Sequence, residues 1–64
     1  MSYRFTIRGE ASPLVQAEFE DFNIWVSGGY TMLQVEGLDR AGLYGLIGRI
    51  EAMGLEIVQF GPMG

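Results

Sequence analysis

Few groups in this chain could carry chemistry. Glu18, Glu20 and Asp21 crowd into one short stretch, and clustered carboxylate oxygens are what Ca²⁺ or Mg²⁺ takes as ligands. Their spacing is not that of an EF-hand loop, so a solvated acidic turn is the expectation. Glu10, Glu36, Glu51 and Glu56 are scattered, which gives no basis for paired-carboxylate catalysis. Ser12 would need a neighbouring base to become a nucleophile, and the chain has no histidine. That absence removes the usual general base near neutral pH and the commonest metal ligand. Cysteine is absent too, which excludes a disulfide framework and a thiolate zinc site. The run Gly42-Leu43-Tyr44-Gly45-Leu46-Ile47-Gly48 is glycine-rich. Its GxxGxxG spacing lies within a helical pattern, whereas a dinucleotide loop needs GxGxxG at a strand-to-helix turn. Tyr44 reads as a packing residue. The expectation is no cofactor, no metal and no catalytic residue.

Composition narrows the partners. The net charge is −4, with four arginines and no lysine. Scattered arginines on an acidic chain do not make the clustered cationic surface that nucleic-acid binding rests on. No apolar run approaches the roughly 18 residues of a membrane span, and the opening Met-Ser-Tyr-Arg-Phe-Thr-Ile lacks a signal-peptide core. A cytoplasmic protein is expected. At 64 residues the chain buries only about 60% of its unfolded surface. Domains of this size commonly need a disulfide, a metal or a partner subunit, and here the partner subunit is the stabiliser left.

The elements that must position these residues follow from periodicity. Tyr3–Glu10 alternates, with Tyr3, Phe5 and Ile7 on one side, and reads as a strand. Ser12-Pro13 reads as an N-cap followed by proline at the first helical position, opening a short or degenerate helix to about Glu20 lined by Leu14, Val15, Ala17 and Phe19; a strand or an irregular loop fits the same stretch nearly as well. Phe22–Ser27 and Tyr30–Glu36 are strands joined by Gly28-Gly29, a pair suited to a turn that needs positive φ twice. Asp39 caps a longer helix with Leu43, Leu46, Ile47, Ile50 and Met53 on one stripe. Gly54 ends that helix. Leu55–Phe60 is the last strand, and residues 61–64 read as a flexible tail. The order strand, helix, strand, strand, helix, strand is the βαββαβ arrangement of a ferredoxin-like α+β domain spanning residues 1–64. Both helices would cover one face of a four-stranded antiparallel sheet, with the first and third strands central.

Two surfaces remain for a partner. With Phe5, Ile7, Ile24, Val26, Leu33, Val35, Leu55 and Ile57 facing the helices, the other sheet face is expected to carry Arg4, Arg8, Trp25, Tyr30, Met32, Val58 and Phe60. That much apolar and aromatic area marks an interaction site, either an interface or a ligand pocket with Trp25 and Phe60 as walls and Arg4 or Arg8 for an anion. The second surface is the small-residue stripe Ala41, Gly45, Gly48 and Ala52, opposite the apolar stripe of the long helix. Glycine inside a helix costs about 1 kcal/mol relative to alanine, and close approach of another backbone is one reason to retain it.

The segment Gly37-Leu38-Asp39-Arg40-Ala41, then Leu43-Tyr44-Gly45-Leu46-Ile47, Arg49-Ile50 and Met53-Gly54-Leu55, resembles a family of small uncharacterised bacterial proteins. Those run roughly Gly-Pro-Leu-Asp-Gln-Ala, Leu-His-Gly-Leu-Leu, Arg-Ile-Arg and Leu-Gly-Leu. The likeness extends through Tyr3–Arg8 and Phe19–Phe22, and the lysine-free, glycine-rich composition suggests a high-GC genome. The chain departs from the pattern at Gly37, where the family has proline, and at Tyr44, where it has histidine. The resemblance implies the fold and no established activity. The segment from Asp39 to Gly54 also resembles the Asp-x-x-Gly-Leu start of ACT regulatory domains, which pair through strands and helices and bind amino acids at the interface. Tautomerases of similar length use an N-terminal proline as base, which this chain lacks. Cofactor-free monooxygenases of ferredoxin-like fold use Trp, Asn and Arg in a dimer, and Trp25, Asn23 and Arg4 are the corresponding residue types here.

Three functional expectations result. The first is a non-catalytic homo-oligomeric or partner-binding module. The second is an ACT-like small-molecule-binding regulatory domain. The third is a cofactor-free dimeric enzyme acting on an apolar or aromatic substrate.

Overall fold

The computed structural model describes residues 2–63. Strand β1 spans Ser2–Arg8. Helix α1 spans Pro13–Glu18, with Ser12 accepting from the Val15 N–H as its N-cap. Strands β2, Asn23–Ser27, and β3, Tyr30–Val35, form a hairpin. Gly28 and Gly29 turn it with φ of 59° and 84°, the double positive φ of the turn that matches strand twist. Helix α2 spans Arg40–Ala52, with the Asp39 carboxylate accepting from the Gly42 N–H at 2.7 Å. Gly54, at φ 76°, takes the left-handed conformation that ends a helix. Strand β4 spans Ile57–Met63.

The chain is α+β: two helices and an open four-stranded antiparallel sheet in the order β2-β3-β1-β4. The core lies between one sheet face and the helices. Phe5, Ile7, Leu33 and Val35 meet Phe19, Leu46 and Ile50, with Leu43, Ile47, Met53 and Leu55 packed around them. Of the residues expected to line α1, Val15 is half-buried and Phe19 is buried, whereas Leu14 is 84% exposed and Ala17 is exposed. Helical spacing accounts for this: positions four apart share a face, and Leu14 lies a quarter-turn away from Val15.

The chain end differs from expectation. Gly61, Pro62 and Met63 are not a flexible tail but continue β4, paired with Arg4, Tyr3 and Ser2. Gly64 lies outside the described residues. The β1–β4 register slips between Thr6 and Ile7: Thr6 opposes Gln59, but Ile7 opposes Ile57, leaving Val58 as an extra residue. A bulge of this kind interrupts strict alternation along a strand.

Candidate functional site

The register decides which residues share the sheet face away from the helices, because residues directly opposite on neighbouring strands point the same way. Arg8 opposes Tyr30, Thr6 opposes Met32, and Arg4 opposes Gln34. Trp25 opposes Met32 from the other side. Arg4, Arg8, Trp25, Tyr30 and Met32 therefore lie together on the outer face. Trp25 and Tyr30 are each 38% exposed, and Met32 is half-buried between its neighbours. The Arg4 guanidinium reaches diagonally to 5.8 Å from the Trp25 ring centroid, at the outer limit of a cation–π contact.

Phe60 is not part of this group. It opposes Phe5 and stacks on it at a ring separation of 5.5 Å, which puts it on the helix side. Val58 sits at the bulge, 43% exposed. The bulge is the cause: without it, Phe60 would share the parity of Val58 and face outward. The outer face instead carries Gln59, Gly61 and Met63 at the β4 end, and it is more polar there than expected.

Beside Arg4 the outer face is hollowed. Thr6, Met32, Gln59, Gly61, Pro62 and Met63 line an open depression with the Arg4 side chain at its wall. Its lining is more polar than apolar, and Arg4 is its one cation. Arg8 is engaged elsewhere, donating to Glu56 at 3.1 Å, with both side chains mostly exposed. Such a pair contributes little to stability.

The small-residue stripe is open. Ala41, Gly45, Gly48 and Ala52 are all exposed, and a Cβ built on Gly45 or Gly48 meets nothing within 4 Å. Tyr44, on the same helix, is 65% exposed rather than a packing residue. Glu18, Glu20 and Asp21 are exposed around the end of α1. Among the described residues no three Asp or Glu side chains gather closely enough to hold a metal ion, and no helix is long and apolar enough to cross a membrane.

Two side chains not singled out by periodicity organise the loops. Thr31 is 1% exposed. Its hydroxyl donates to the Gly9 carbonyl and accepts from the Ala11 N–H, each at 2.8 Å, tying the β1–α1 connection to β3. Its inward parity beside Leu33 and Val35 was the available signal. Arg49 of α2 donates to the Glu18 carbonyl at 2.6 Å, with its guanidinium 4.9 Å from the Phe19 ring centroid and 6.0 Å from that of Phe22. It thereby caps the end of α1 from outside, a role that spacing within one helix does not reveal.

Comparison with known proteins finds no match among curated proteins and none among solved structures. A family profile does match, over residues 2–60, and its description is "Domain of unknown function (DUF8691)".

Proposed function

The chain belongs to the DUF8691 family, a domain family of unknown function, and from that premise we propose that it is a non-catalytic module that associates with copies of itself. The strand order, with every neighbouring pair antiparallel, supports a ferredoxin-like reading of its architecture. The observation that carries the functional reading is the uncovered outer sheet face, where Trp25, Tyr30 and Met32 adjoin with neither helix over them. Contiguous apolar surface of this kind marks an interaction site, and a chain of this size gains stability from a partner subunit. In this reading Trp25, Met32 and Tyr30 become buried, and Arg4 and Arg8 form a polar rim.

Sedimentation over a wide dilution series tests the proposal. A dimer or larger assembly should persist at low micromolar concentration, and the double substitution Trp25→Ser with Met32→Ser should dissociate it while leaving far-UV circular dichroism unchanged. A monomer at every concentration would sink self-association.

The hollow beside Arg4 favours one second reading, a regulatory domain of ACT type taking a small carboxylate on the guanidinium. Thermal shift against amino acids and aromatic acids separates the two. A ligand at one hundred times its dissociation constant adds about 2.7 kcal/mol, and silence across the panel counts against a ligand site, including one that serves a cofactor-free enzyme.

A further inference from the structure

The two edges of the sheet are unlike. The β4 edge carries a bulge at Val58 and a proline at position 62, and both features discourage pairing with another strand. The β2 edge has neither. Its residues, Asn23-Ile24-Trp25-Val26-Ser27, include no charge, proline or glycine, and β2 is the outermost strand on its side.

The hairpin register fixes which backbone groups β2 leaves free. Ser27 and Tyr30 flank the two-residue turn, so they are joined by backbone hydrogen bonds, and bonded and non-bonded pairs alternate from there. Asn23, Trp25 and Ser27 therefore direct their peptide groups at β3. The N–H and C=O of Ile24 and Val26 point out of the sheet. Among the described residues, no loop or helix group bonds to these four. Unpaired edge groups are a template for another strand.

We propose that the β2 edge pairs antiparallel with β2 of a second copy about a two-fold axis at Trp25, so that two four-stranded sheets become one continuous sheet. This rests on the self-association proposed above and adds to its outer-face contact a second one at the sheet edge. The axis sets Ile24 opposite Val26 of the partner subunit and Val26 opposite Ile24 of the partner subunit, so every outward N–H meets an outward C=O. Charge selects the antiparallel arrangement. Glu18, Glu20 and Asp21 lie just before β2, and antiparallel pairing sends the two acidic clusters to opposite ends of the ribbon. Parallel pairing would superpose like charges, which is destabilising. The edge contact lies in the plane of the sheet and leaves the outer face available for its own contact.

Amide hydrogen exchange on the unmodified chain tests this, with sedimentation at the same concentrations. In the assembly, the Ile24 and Val26 amides should exchange at least roughly tenfold more slowly than in the dilute monomer, where nothing protects them. Val26→Pro removes one outward N–H and leaves the β2–β3 ladder whole. It should halve the sedimenting mass with far-UV circular dichroism unchanged. A chain that assembles while both amides exchange at unprotected rates overturns edge pairing and leaves self-association standing. A monomer throughout overturns both. Should Val26→Pro fail to fold, the exchange rates of the unmodified chain still decide.

Discussion

Thr31 is the only buried polar side chain among the described residues, and its hydroxyl both donates and accepts. Thr31→Val keeps the shape and removes both bonds, leaving the Gly9 carbonyl and the Ala11 N–H without that partner. A loss of about 2 kcal/mol is expected, read from the shift of the urea midpoint. Arg49 presents a different case, because its guanidinium is exposed and water competes for it. Arg49→Met keeps the stem over Phe19 and loses the bond to Glu18, which should cost about 1 kcal/mol in the same measurement. Arg8→Ala breaks the ion pair with Glu56, whose side chains are 59% and 64% exposed. It should change stability by less than about 0.5 kcal/mol.

At the scale of elements, α2 carries three glycines whose surroundings differ. Nothing lies within 4 Å of a Cβ built on Gly45 or Gly48, whereas one built on Gly42 falls 3.0 Å from the Asp39 Oδ1 and 3.2 Å from the Leu38 Cδ2. Gly45→Ala and Gly48→Ala should each stabilise the chain by about 1 kcal/mol, and Gly42→Ala should bring no such gain because it crowds the cap. Melting temperatures give the first result. Sedimentation of the double alanine variant gives a second: unchanged mass means the stripe faces water, and dissociation means it is packed in the assembly. Most element positions were legible because each had local punctuation: Ser12-Pro13, Gly28-Gly29, Asp39 and Gly54. The end of the chain was not, because Gly61-Pro62 carries the local marks of a loop, while its pairing with β1 is a long-range contact. The face of Phe60 was illegible for a related reason. A bulge changes parity without leaving a residue signature, so alternation read from Leu55 onward assigned Phe60 to the wrong side. Within the candidate site, β1, β2 and β3 have no bulge, and Arg4, Arg8, Trp25, Tyr30 and Met32 fell on the face that alternation gave them.

At the scale of the whole molecule, the proposed association must overcome the mutual repulsion of copies that each carry a net charge of −4. Screening weakens that repulsion over a Debye length of about 10 Å at 0.1 M salt. The assembly should therefore tighten as salt is raised from low ionic strength, measured as a falling dissociation constant in sedimentation. Its melting temperature should rise with protein concentration, since association stabilises only the folded chain. A monomer would show neither dependence.

The chain has one tryptophan, and it sits on the outermost strand, 38% exposed, rather than in the core. Its fluorescence is therefore a reporter of the sheet margin, while the interior built around Phe5, Phe19, Leu33 and Ile50 is silent to it. A denaturation curve followed by indole emission would record the detachment of β2. Where it departs from the curve followed by backbone circular dichroism, the gap would measure how far the margin loosens before the interior does.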